Sequence, residues 1–148
     1  MAECEPILDG RIAEQRMSGG ADHASRVRSY RDLKVWAKGM DLAALVYELA
    51  KRMPKEEQYR MTSQMLRSVA SVSANIAEGY QRATRRDYAH FVSIAAGSLA
   101  ETETFVLMAT RVGLLPESAT GPVLALADEL SRMLRALREK LAKPNRPS

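Results

Sequence analysis

Apolar residues recur at helical intervals over four stretches of the chain, and polar or helix-breaking residues separate the stretches. In the first, Leu33, Trp36, Ala37, Met40, Ala43, Ala44, Tyr47 and Ala50 follow steps dominated by three and four. A second set, Val35, Leu42, Leu45, Val46 and Leu49, widens the stripe beyond one face, so this helix must contact more than one neighbour. Asp32 stands where an N-cap belongs, and Pro54 stops the helix after about Arg52. The second helix starts near Glu56 or Thr62 and ends at Glu78, with Gly79 placed as a left-handed C-terminal cap. Its apolar row is Met61, Met65, Val69, Val72 and Ile76; a polar row of Gln64, Ser68, Ser71, Asn75 and Glu78 lies about a quarter-turn away.

Thr84 and Asp87 approximate a capping box at the start of the third helix. Tyr88, Phe91, Ala95, Leu99, Thr102, Val106 and Ala109 then share one face as far as Gly113. Ala95, Ala96, Gly97 and Ser98 carry almost no side chain, which predicts a groove that admits another helix and offsets the helix cost of Gly97. After Leu114, Leu115 and Pro116 a fourth helix follows Ser118 or Pro122, with Leu124, Ala127, Leu130, Leu134, Leu137 and Leu141 inward, and frays at Pro144. Period-two alternation is hard to find. The pattern predicts an all-α fold, most economically an antiparallel up-down-up-down four-helix bundle over residues 30–143. Residues 1–29, punctuated by Gly10, Gly19 and Gly20, read as a disordered tail, and 144–148 as a disordered end.

Composition supports one domain: 148 residues, 46% hydrophobic and 27% charged, form a core without disulfides or metals. The one cysteine, Cys4, excludes a disulfide framework and a zinc-type cluster and points to a reducing cytoplasm. Met1 to Leu8 lacks the features of a signal peptide, and no apolar stretch approaches the roughly 18 residues of a membrane span, so no membrane association is expected. The net charge of +4 is unevenly spread: residues 91–130 are acidic, while 60–90 and 131–148 are basic. Such zones permit contact with an anionic polymer.

Asn75 and Glu78, one turn apart, are candidates for acid–base chemistry, but a structural role is favoured: Asn75 tying a neighbouring helix or loop, Glu78 accepting from backbone N–H groups of the next turn. Ser98 and Glu101, beside Gly97, read as groups facing the polar row of the second helix. His90 has no second histidine or cysteine near it, and no serine has the partners of a nucleophile. No catalytic, metal or cofactor site is expected. Arg82, Arg85 and Arg86 in the turn before the third helix, with Arg132, Arg135 and Arg138 near the C-terminus, suit phosphate, since planar guanidinium groups donate in pairs. Their competing reading is a solvated face, because Asp128 with Arg132 and Arg135 with Glu139 have i, i+4 spacing. The apolar first helix and Met53, Met61 and Met65 are either a subunit interface or ordinary core.

Several short runs, in order, carry a family resemblance: Leu33-Lys-Val-Trp36, Gln64-Met-Leu-Arg67, Ser71-Val-Ser-Ala-Asn75-Ile-Ala-Glu78-Gly79 and Ile94-Ala-Ala-Gly97-Ser98-Leu99-Ala-Glu101. Over about residues 30–137 the chain resembles the four-helix bundle proteins of the 23S rRNA intervening-sequence type. The resemblance implies a homopentamer with a central channel. It also implies a relation to accessory proteins of diversity-generating retroelements, basic pentamers that bind nucleic acid and a reverse transcriptase. Ser68 stands where a small Ala is usual in that family, Val72 for Ile, and the leader before Tyr30 is longer than typical. The reading that follows is a non-enzymatic, cytoplasmic homo-oligomer that associates with RNA or DNA through its backbone, with a reverse transcriptase as an example of a protein partner. Its alternative is a protein-interaction scaffold with no direct nucleic-acid role.

Overall fold

The computed structural model of the protein describes residues 26–144. Most of the expected N-terminal tail, and residues 145–148 at the other end, lie outside the described residues. Among the described residues there are four long helices, two single 3-10 turns and no strand: α1 (Lys34–Ala50), α2 (Met61–Tyr80), α3 (Arg85–Arg111) and α4 (Glu117–Ala142). The fold is an all-helical four-helix bundle. α1 packs on α2 and α4, α3 packs on α2 and α4, and neither α1 with α3 nor α2 with α4 approaches closely, so each of these two pairs stands diagonally across the bundle.

The expected row of α2 forms part of the core: Met65, Val69, Val72 and Ile76 are fully buried, in one cluster with Val92, Ala95, Leu99 and Val106 of α3 and Leu130 and Leu134 of α4. In α1 the second apolar set turns inward, with Val35, Leu42, Val46 and Leu49 buried, while Met40 and Tyr47 from the first set stay about half exposed. Gly39 explains this choice. A Cβ there would lie 2.2 Å from Ser73 Oγ, so α2 crosses α1 at the glycine and the residues sharing its face become core. Met53 and Met65 are buried within the chain, which makes them ordinary core rather than interface.

Three local expectations are corrected. Asp32 does not cap α1; its carboxylate accepts from the Arg28 and Ser29 N–H groups at 2.9 and 3.1 Å and closes the 3-10 turn Tyr30–Asp32, after which α1 starts without a side-chain cap. Gly79 is not a left-handed cap, because α2 continues through it to Tyr80 and the positive φ belongs to Gly113 at 81°. Among the described residues the groove expected at Gly97 admits no helix: none of them lies within 4 Å of a Cβ built there. The close approach is at Gly79 instead, where a Cβ would meet Phe91 Cβ at 2.7 Å and Tyr88 Cδ2 at 3.0 Å. Contrary to the expectation that no stretch is long and apolar enough for a membrane span, α3 reaches a mean hydropathy of 1.3 over 18 residues. About 33% of that window is buried in the bundle, where α3 meets α2 and α4.

These contacts predict that Gly79→Ala lowers stability by about 1–3 kcal/mol, since the backbone-proximal Phe91 Cβ cannot rotate away and α2 and α3 must part. Chemical denaturation monitored by circular dichroism reads the change; an unchanged midpoint contradicts the close crossing.

Candidate nucleic-acid interface

One end of the bundle gathers segments distant in sequence. Thr84 Oγ1 accepts from the Asp87 N–H at 3.1 Å, half of the expected capping box, and so starts α3 at Arg85. Arg85 Nη2 then donates to the Lys140 carbonyl at 2.7 Å, filling one of the acceptors that the last turn of α4 leaves open. Arg85 and Arg86 with Ala89, and Leu141, Lys143 and Pro144 of the α4 end, line an open groove of about 380 Å³. The described chain also begins here, for the Tyr30–Asp32 turn packs on α1 and α2, and the Tyr30 ring meets Trp36 edge-on at 5.5 Å. Residues 26–34, 78–90 and 135–143 thus share this end and hold eleven Lys and Arg against four Asp and Glu. The opposite end, residues 48–60 and 108–120, is nearly balanced with five against four.

The predicted arginines are not equivalent. Arg86 and Arg138 are exposed and, among the described residues, have no carboxylate within 4 Å; Arg135 is also exposed, and its expected pairing with Glu139 is not formed. Arg82 donates to Glu78 at 2.7 Å and lies 4.5 Å from the Phe91 ring centroid, so it is held against the protein. Glu78 therefore pairs with a side chain rather than with backbone N–H groups. Arg132 pairs with Asp128, as its spacing suggested, nearly three turns before the end of α4. The contribution of Arg26, Arg28, Arg31 and Lys34 was hidden in the sequence, because counting them with the acidic residues before them cancels their charge.

Between α2 and α3 the polar row forms a hydroxyl seam. Ser98 Oγ donates to Ser71 Oγ at 2.9 Å; Thr102 Oγ1 lies 2.9 Å from both Ser68 Oγ and the Ser98 carbonyl; Arg67 bonds Glu101 at 2.9 Å at the seam's edge. Ser98 thus meets the polar row as expected, whereas the partner of Glu101 is Arg67, which stands outside that row. Asn75 does not reach another helix: its amide donates to the Ser71 carbonyl and to Ser71 Oγ at 2.7 and 2.8 Å, and so supports the seam through Ser71. Partner numbers fall along α3 as they rise along α2, and the bond of Thr110 to Thr120 fastens α3 to α4 at the other end.

The sequence model of the 23S rRNA-intervening sequence proteins matches residues 31–136. The chain belongs to that family. The 1.70 Å crystal structure of a protein with unknown function from the S23 ribosomal protein family of Bacteroides thetaiotaomicron is similar to it with a TM-score of 0.67 at 24% identity. The match covers 71% of this chain and 98% of that one, a likeness of fold. No curated protein matches.

Elsewhere, among the described residues of this intervening-sequence family member, two groups are perturbed. Burial, and then the neighbouring Tyr80, push the Tyr88 hydroxyl above its usual value. Burial, and then Asp128 on α4, raise the Glu103 carboxyl. His90 meets the Phe91 ring edge-on at 5.7 Å. Among the described residues no three His, Cys, Asp or Glu side chains gather as a metal would require.

Two predictions follow from the seam and from Glu103. Ser68→Ala and Thr102→Val each cost about 1 kcal/mol, and the double variant costs less than their sum by about 0.5–1 kcal/mol; strict additivity in denaturant melts contradicts a shared bond. A raised carboxyl pKa means that the folded state binds the proton more tightly than the unfolded one. The stability this brings is present below the ordinary carboxylate pKa and is lost as pH rises towards the raised one. Glu103→Gln therefore melts at a higher temperature than the parent at pH 7, and the gap closes as pH falls below the ordinary carboxylate range.

Proposed function

We propose that this antiparallel up-down-up-down bundle is a cytoplasmic, non-enzymatic accessory protein that assembles as a homopentameric ring and holds RNA or DNA by its phosphates. The observation that carries the reading is the Arg85–Lys140 bond, which joins the two basic segments of the sequence into one surface. Arg85, Arg86, Arg138, Lys140 and Lys143 are its centre; Arg82, Arg132 and Arg135 add to the field around it, with Arg82 and Arg132 already engaged by carboxylates. Such a surface supplies electrostatic attraction without reading bases. The opposite-running partner numbers support the antiparallel topology.

The apolar residues left outside support assembly. Met40 and Tyr47 on α1 are 47% and 52% exposed, and Leu107 and Val112 on or next to α3 are 54% and 63% exposed. A ring needs two different patches that meet head to tail, and the diagonal placement of α1 and α3 provides them on opposite sides. Fivefold order is the family expectation, and repetition of the basic end around a ring multiplies its field. The same exposed patches favour a second reading, a scaffold for a protein partner such as a reverse transcriptase. Nuclease treatment separates the two: a contact made through nucleic acid disappears, and a direct protein contact survives.

Fluorescence anisotropy with a labelled RNA oligonucleotide over a salt series tests phosphate binding. Affinity is expected to fall steeply with salt, and R85E/R86E/K143E to flatten the slope by about 2–3 units, while Arg132→Glu changes it by less than about one. Affinity indifferent to salt, or unaltered in the triple variant, contradicts the proposal. Sedimentation velocity tests the ring: L107E/V112E is expected to convert pentamer to single subunits with helical content retained, and a parent that sediments as one subunit at micromolar concentration contradicts it.

A further inference from the structure

We infer that the groove between the start of α3 and the end of α4 is a docking site for the chain's own segment around Ile7 and Leu8. The groove has a mixed character, with a rim of Arg85, Arg86 and Lys143 and apolar surface from Ala89, Leu141 and Pro144. Residues 1–25 have the complementary character: five carboxylates, Glu3, Glu5, Asp9, Glu14 and Asp22, stand against two arginines. Within them Glu5 and Asp9 bracket Pro6, Ile7 and Leu8, which places acidic groups at the spacing of an apolar pair's two flanks.

Position favours the same match. The described chain begins at Arg26, at the basic end rather than the balanced one. A random coil of about 17 residues, the number that separates Asp9 from Arg26, has a root-mean-square span of roughly 23 Å. The far end lies a further 26 Å or so away along α1, at about 1.5 Å per residue. The segment therefore has a high local concentration where the bundle carries eleven basic groups and a low one where charges cancel. Docked there, its carboxylates occupy positions that a phosphate chain would otherwise take, and polyanion and segment compete.

The single cysteine, Cys4, lies next to this segment and provides the probe. A nitroxide attached to Cys4 of the full chain is expected to broaden the amide signals of residues 85–89 and 140–143 at low salt. Residues 51–60 and 111–120 are expected to be affected at least about twofold less. The broadening is expected to fade at about 0.5 M salt, where the Debye length is about 4 Å, and in the E5Q/D9N variant. Equal broadening of both ends, broadening centred on Met40 and Tyr47 or on Leu107, or broadening unchanged by salt and by E5Q/D9N overturns the inference. The experiment contains no nucleic acid, so segment docking and phosphate binding fail or succeed separately.

Discussion

The close crossing of α2 and α3 is the constraint on which the remaining geometry depends. Gly79 lets Tyr88 and Phe91 reach the α2 backbone, and the hydroxyl seam holds the two helices in one register from Ser68 to Ser71 on one side and Thr102 to Ser98 on the other. Apolar packing alone favours contact without choosing among positions a turn apart. A buried hydroxyl left without a partner costs about 1–3 kcal/mol, so a shifted register is penalised at each step of the seam. With the register set, the short turn after Tyr80 puts Arg85 and Arg86 at the end where α4 finishes, within reach of its open carbonyls.

The charge at that end comes from side chains and not from the helix backbones. In the proposed antiparallel arrangement α1 and α3 begin there while α2 and α4 end there, so the partial charges of the helix termini largely offset one another. Seven net positive side-chain charges remain from the three converging segments. Glu78 and Phe91 hold Arg82, and the Lys140 carbonyl holds Arg85, so both guanidinium groups are fixed within the bundle, while among the described residues Arg86 and Arg138 have no carboxylate partner. An arrangement of this kind gives salt-sensitive attraction with little demand on sequence.

Much of the helix layout was legible in the sequence because the period of the apolar rows is a direct record of burial. Met65, Val69, Val72 and Ile76 were readable as core, and Ser98 as a partner of the polar row. Three glycines were not. A glycine looks the same in sequence whether it caps a helix, admits a neighbour or faces solvent, so Gly79, Gly97 and Gly39 were separable only once the neighbours were in place. The inward face of α1 was hidden for the same reason, since both of its apolar sets are compatible with burial and Gly39 decides between them. Asn75 shows the limit for polar residues: the need for a hydrogen bond was clear, but the partner lay in its own helix. Of the basic end, the two arginine clusters were visible, whereas the convergence of residues 26–34 upon them depends on topology.

The central claim, that one end of this bundle is built to receive phosphate, is tested most directly by titrating the full chain with pyrophosphate and following its backbone amide shifts. The account predicts saturable shifts at residues 82–89 and 140–143, with residues 51–60 and 111–120 unmoved. Shifts of equal size at both ends, or none at the α3–α4 groove, would contradict it.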